Sequence, residues 1–120
     1  MICAKMVEVL GIPLYDKTIE QACDEIVEAT KKKQPITRCV SATGAHGLVH
    51  AYRNDDFRKI LQSFFINLPD GMPAVWIGRL KGASEMRRCY GPEFFAEMMK
   101  RTGKNSIKHY FCGGVEGVAS

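Results

Sequence analysis

Nowhere does this sequence hold an apolar run approaching the ~20 residues of a membrane span. The opening "MICAKMVEVLGIPLY" also lacks the apolar core of a signal peptide. Any membrane contact is therefore expected to be peripheral. The five cysteines, Cys3, Cys23, Cys39, Cys89 and Cys112, are odd in number and never fall into a C-x-x-C spacing. That argues against a zinc ribbon or a disulfide scaffold and for reduced, buried thiols of a cytoplasmic protein. Also missing are H-E-x-x-H, the dinucleotide fingerprint G-x-G-x-x-G, a Walker loop, internal repeats and low-complexity linkers. Zinc hydrolysis and P-loop chemistry lose their usual signatures.

What remains is 120 residues of ordinary globular composition, 46% hydrophobic and 25% charged. That length is enough for one small domain with a single core. The 17 lysines and arginines against 13 acids give a net charge of +4. So mild an excess suits phosphates or an anionic surface, and equally an ordinary solvated exterior.

Strand and helix signals alternate along the chain. Val7 to Leu14, interrupted by Gly11 and Pro13, reads as a short strand or ribbon. Thr18-Ile19-Glu20-Gln21 fits a capping box, followed at helical spacing by Ile19, Ala22, Cys23, Ile26 and Val27. Lys31, Lys32 and Lys33 close that helix where cations suit its dipole. Ile36 to Ala42 reads as a strand and His46 to Tyr52 as a helix. Asn54 caps a further helix with Phe57, Ile60 and Leu61 inward. A strand over Phe64 to Leu68 leads through Pro69-Asp70-Gly71 into a helix over Ala74 to Leu80. That helix is apolar nearly all round and is expected to be buried. Gly91-Pro92 opens a helix with Phe94, Phe95, Met98 and Met99 as its core face and Gly103 as its C-cap. Ile107 to Cys112 is a fourth strand candidate, and Gly113-Gly114-Val115-Glu116-Gly117 then opens a helix that the sequence leaves after about two turns. The alternation predicts an α/β domain with a Rossmann-like, mainly parallel sheet flanked by helices. It reads as a single domain over 1–120, incomplete at its C-terminal side, the first half of a doubly wound fold.

In open parallel sheets, ligands bind beyond the carboxyl ends of the strands. Three expected strand ends carry suggestive residues: Thr43-Gly44-Ala45-His46-Gly47, Pro69-Asp70-Gly71, and the 113–117 glycine stretch. The last lets backbone N–H groups approach a phosphate at a helix start, and a tight turn explains it as well. Pro-Asp-Gly is by itself a common turn. Asp70 also lies beside the start of the Pro73 helix, whose partial positive charge suits a carboxylate. His46 and His50 are four apart on a helix, yet no third ligand is evident, and Asp55-Asp56 lacks a D-x-D spacing, so no metal site is expected. Arg87-Arg88, just before Tyr90-Gly91-Pro92, could clamp a phosphate or carboxylate, or be solvated.

Together, "VLGIPLYDKTIEQA", "VSATGAHGLVHAYRNDDFRKIL", "LPDGMPAVW", "RRCYGPEFF" and "HYFCGGVEGVA" resemble, in order and spacing, the WecG/TagA/CpsF family of bacterial glycosyltransferases. The resemblance covers nearly the whole chain. It implies transfer of an N-acetylmannosamine-type sugar, with inversion and without an obligatory metal or cofactor, from a UDP donor to a polyprenyl-diphosphate-linked acceptor. The setting it implies is cell-surface polysaccharide synthesis at the cytoplasmic face of the membrane, with peripheral membrane contact and no nucleic acid. A homo-oligomer is left open. Asp70 maps onto the family's proposed catalytic base. Ser41, Thr43 and His46 map onto its hydroxyl-bearing stretch, Arg88 onto its arginine before Tyr90, and Gly71, Tyr90, Gly113 and Gly114 join the substrate-binding set. Where many members have Thr-x-Asn, this chain has Ser41-Ala42-Thr43, and its Thr-Gly-x-His-Gly form looks like an exopolysaccharide-associated branch. Family chains run past Ser120, so little activity is expected of residues 1–120 alone. The other function class the residues allow is a non-catalytic nucleotide- or polyanion-binding α/β module.

Overall fold

A computed structural model describes residues 6–32, 36–104 and 107–117. Two short strands, β1 (Met6–Val9) and β2 (Ile12–Tyr15), form an antiparallel hairpin in which Val9 pairs with Ile12 and Met6 with Tyr15. Its two-residue turn holds Leu10 at φ 51° and Gly11 at φ 83°. Two consecutive positive φ values match the right-handed twist of the flanking strands, which explains the glycine. The expected ribbon is present.

Helix α1 (Ile19–Lys31) starts at the capping box read from the sequence. The Gln21 N–H donates to Thr18 Oγ1 at 3.3 Å, and the Thr18 N–H to Gln21 Oε1 at 3.1 Å. The helix buries Ala22, Cys23 and Val27 and caps at Lys32, while Lys33 lies outside the described residues.

A parallel pair follows: β3 (Val40–Thr43) and β4 (Ile66–Pro69), joined through α2 (Ala45–Arg53) and α3 (Asp55–Gln62). The Asn54 side chain caps α3 by accepting from the Phe57 N–H at 2.9 Å, as its sequence predicts. Both strands are shorter than expected and shifted toward their carboxyl ends. Residues 36–39 precede the paired register, with only Cys39 O reaching across to accept from the Phe65 N–H at 2.9 Å, and Phe64 donates its N–H to Leu61 O, which finishes the turn of α3. Ile60, expected inward, is exposed; Leu61 carries that face. The chain is α/β, with the β3–β4 pair as its Rossmann-like element.

The next two helices are α4 (Met72–Leu80) and α5 (Gly91–Lys104). On α4 only one face is buried, through Ala74, Val75 and Gly78 against the hairpin, while Trp76, Ile77 and Leu80 are 57%, 41% and 88% exposed. The expectation of a wholly buried helix is corrected here: the hairpin covers one side, and the described residues leave the other to solvent. Gly78 makes that packing close, since a Cβ there would lie 2.1 Å from Met86 Sδ and 3.2 Å from Val7 Cγ1. Gly103 is not a cap; it lies within α5, which runs on to Lys104. α5 packs along α1, with Arg101 joined to Asp24 and Glu97. Phe94 packs into the core, whereas Phe95 is exposed.

Residues 107–112 form no strand, contrary to the periodicity. The His109 and Phe111 side chains turn back on α5. The Ile107 N–H donates to Thr102 O, the His109 ring meets the Thr102 hydroxyl at 2.7 Å, and Phe111 stacks on His109 and lies against Phe95. Nor does a helix begin at Gly113. Gly113, Gly114 and Gly117 have φ of 122°, 76° and 89°, incompatible with a right-handed helix, and residues 118–120 lie outside the description. Cys23 and Cys89 are buried free thiols as expected, but Cys39 and Cys112 are exposed, and Cys3 lies outside the described residues.

Candidate functional site

The carboxyl end of β4 is where the strand chemistry converges. The Asp70 N–H donates to Thr43 O at 3.1 Å, so the ladder runs one residue past the last paired position and fixes the start of the Asp70-Gly71 turn. On the other side, the Cys89 N–H donates to Pro69 O at 2.7 Å and brings in the 86–90 segment. Side chains alternate across a sheet, so Ala42, Leu68 and Asp70 share one face and Ser41, Thr43 and Asn67 the other.

On the Asp70 face, the carboxylate is partly buried, and its Oδ1 is enclosed without a hydrogen-bond partner. The Arg88 guanidinium is the nearby cation, with Nη2 3.8 Å from Oδ1. Its Nε donates to the Asp70 main-chain carbonyl at 3.4 Å. The Tyr90 ring supports the guanidinium, whose central carbon is 4.7 Å from the ring centroid. Gly91 completes the wall: a Cβ there would lie 3.6 Å from both Asp70 Oδ2 and the Ala42 Cβ.

Three helices begin around this carboxylate. α2 starts after Gly44, α4 after Gly71 and α5 at Gly91. A Cβ at Gly71 would lie 3.9 Å from both the Ala45 nitrogen and the Gly44 Cα, so the first two starts adjoin. Neither Gly44 nor Gly71 supplies a side-chain cap. The first-turn N–H groups thus keep their donor capacity, and the partial positive ends of the helices favour an anion. A diphosphate is the kind of group that such a convergence accommodates.

The opposite face holds the strands together. Ser41 Oγ donates to Asn67 Oδ1 at 2.6 Å and lies 2.7 Å from Thr43 Oγ1, while Asn67 Nδ2 donates to Leu61 O at 2.8 Å and to Pro13 O at 3.4 Å. Asn67 is fully buried and ties β2, α3, β3 and β4 into one unit beneath the Asp70 turn. It is absent from the sequence-based set, although a lone amide inside the apolar run "FFINLP" is the signal that marks it. Gly44, read only as part of a strand end, and Gly91, read only as a helix start, are given no site role by the sequence, because their contribution is the side chain they lack.

Of the sequence-predicted residues, Asp70, Gly71, Arg88 and Tyr90 come together, and Thr43 joins them through its backbone. The Ser41 and Thr43 hydroxyls lie in the network on the far face. His46 is exposed in the first turn of α2. Its neighbour on the helix, His50, packs edge-on to Phe57 with ring centroids 4.6 Å apart. Gly113 and Gly114 sit in an exposed turn, and a Cβ at Gly113 would meet nothing within 4 Å. The helix start expected of them does not form, so the anion-favouring helix ends are those around Asp70. Among the described residues no three histidine, cysteine, aspartate or glutamate side chains gather into a metal-binding group.

The buried thiols take no part in this site. Burial pushes the Cys89 thiol up to about 12 and the Cys23 thiol up to about 11. Burial, reinforced by Glu25, also raises the Tyr15 phenol. All three stay neutral and act as core.

No helix among the described residues is long and apolar enough to cross a membrane. A comparison with curated proteins finds no match. A comparison with protein-family models finds the glycosyl transferase WecG/TagA/CpsF family over residues 7–120. The chain belongs to that family.

Proposed function

We propose, with membership of the WecG/TagA/CpsF glycosyltransferases as the premise, that this protein transfers an N-acetylmannosamine-type sugar from a UDP donor to a polyprenyl-diphosphate-linked acceptor. The transfer proceeds with inversion, in cell-surface polysaccharide synthesis, at the cytoplasmic face of the membrane. The observation that carries the reading is the Asp70 carboxylate, one oxygen of it unbonded, at the meeting point of three helix starts and Arg88.

In an inverting transfer the acceptor hydroxyl oxygen bonds to the anomeric carbon as the bond from that carbon to the UDP oxygen breaks. The electron pair leaves with UDP. Asp70 takes the hydroxyl proton on Oδ2, the oxygen left open beside the enclosed Oδ1, as an acceptor-only carboxylate oxygen is suited to do. Negative charge grows on the departing diphosphate. The Arg88 guanidinium and the N–H groups at the starts of α2, α4 and α5 supply fixed donors and positive charge for it. Tyr90 holds the guanidinium from its ring face, and Gly44, Gly71 and Gly91 keep Cβ atoms out of the space the ligand needs. Ser41 and Thr43 act indirectly, by fixing the strand ends through Asn67.

The test is a reaction of the purified full-length protein with UDP-N-acetylmannosamine and a polyprenyl-diphosphate-linked monosaccharide. Equimolar UDP and a lipid-linked disaccharide of inverted anomeric configuration are expected. Retained configuration, or UDP release that does not depend on acceptor, overturns the reading.

A further inference from the structure

We propose that the solvent-facing stripe of α4 is a docking face for an anionic lipid surface. Pro73, Trp76, Ile77 and Leu80 recur at the spacing of one helix face, the reverse of the face that Ala74, Val75 and Gly78 bury against the hairpin. The result is an apolar ridge about 10 Å long, with Leu80 at 88% and Trp76 at 57% exposure. A contiguous exposed ridge of this kind marks an interaction site, unlike scattered surface apolar residues.

Charge selects the occupant. From Gly71 to Ser84 the chain contains no acid, and Arg79 and Lys81 sit at the end of the ridge. Each is tied to a main-chain carbonyl, Met86 O at 3.0 Å and Glu8 O at 2.8 Å, bonds that hold the cations in position without neutralising them. Apolar side chains with a cationic flank fit the boundary between acyl chains and anionic headgroups, where an indole ring is also favoured. Two copies packed stripe to stripe would instead bring like charges together. The ridge begins where the Asp70-Gly71 turn ends, so docking sets the crevice near the headgroup layer. Its purpose rests on the lipid-linked acceptor proposed above; the face itself is tested without any sugar.

Trp76 is the only tryptophan, at the centre of the ridge, so its emission reports the contact directly. The protein is titrated with phosphatidylglycerol-rich vesicles and with phosphatidylcholine vesicles, at low and high salt, with flotation and brominated-lipid quenching alongside. Expected are a blue shift and quenching on the anionic vesicles, weakened by salt. In Leu80→Glu, a change at an exposed position, partitioning falls about tenfold or more. Unquenched Trp76 on anionic vesicles, or unchanged partitioning of Leu80→Glu, overturns the proposal. So does a concentration-dependent blue shift without vesicles accompanied by a dimer, which assigns the ridge to a second copy. Vesicle binding without sugar transfer leaves the docking face standing and counts against the enzymatic reading alone.

Discussion

Arg88 touches Asp70 twice, with Nη2 3.8 Å from the side-chain Oδ1 and Nε donating to the main-chain carbonyl at 3.4 Å. The guanidinium thereby sets the position of the turn and places its charge beside the carboxylate without closing a tight ion pair. With 46% of its side chain exposed, it keeps donors available for an incoming anion.

Loss of this cation should show mainly in donor handling. Arg88→Ala is expected to weaken UDP binding on the order of ten- to hundredfold, the worth of a charge-assisted hydrogen bond to a ligand phosphate. Arg88→Lys restores charge but not the fork, and recovers part of the loss. Calorimetric titration with UDP distinguishes them, and unchanged affinity in Arg88→Ala rejects the phosphate role.

Gly91 offers a test of crowding without unfolding. An alanine Cβ there makes ordinary 3.6 Å contacts with Asp70 Oδ2 and Ala42, and at the first residue of α5, directly before Pro92, alanine gains nothing from helix propensity and meets only the mild pre-proline restriction. Gly91→Ala should therefore keep a urea midpoint near or slightly below the parent's while lowering turnover severalfold. Full turnover would mean that the acceptor does not approach Asp70 from the Gly91 side.

The Ser41–Asn67 network predicts the opposite pattern. Asn67→Ala leaves Ser41, Leu61 O and Pro13 O short of a partner and opens a cavity, at a cost of about 2–3 kcal/mol of stability. Ser41→Ala removes a single hydroxyl and costs about 1 kcal/mol. Urea unfolding measures both, and an Asn67→Ala protein as stable as the parent would contradict the assigned clamp.

Alkaline pH tests the buried thiols. In the fold, burial raises Cys89 to about 12 and Cys23 to about 11, from an ordinary value of 9.0. The unfolded chain therefore ionises first. Their contribution to stability is complete below pH ~9 and is lost progressively as pH rises through the folded values. The urea midpoint should fall between pH ~8 and ~10.5, and the fall should shrink in a Cys23→Ala/Cys89→Ala variant. A midpoint independent of pH, or a slope unchanged in that variant, contradicts the assignment.

Local chemistry made part of this molecule legible. Thr18 with Gln21 and Asn54 with the Phe57 N–H are caps whose partners lie within three residues, so the sequence alone specifies them. Asp70 and Arg88 were legible through the strand-end position and the family pattern, neither of which depends on distant packing. The failures have a common cause. Ile107 to Cys112 has strand periodicity, but contacts of His109 and Phe111 with α5 capture it. The solvent face of α4 depends on what covers it, and apolar composition says nothing of that. Gly113 and Gly114 read as a helix start until their positive φ values are known, and Asn67 gains its importance from Leu61 and Pro13, which only the fold brings near.

The central claim is that Asp70 is the base. The direct measurement is turnover of Asp70→Asn with UDP-N-acetylmannosamine and the lipid-linked acceptor, alongside calorimetry with UDP. Loss of at least about a hundredfold in turnover is expected, with UDP binding retained or tightened because a negative charge beside the diphosphate is gone. A folded Asp70→Asn protein that turns over at nearly the parent rate would contradict the account.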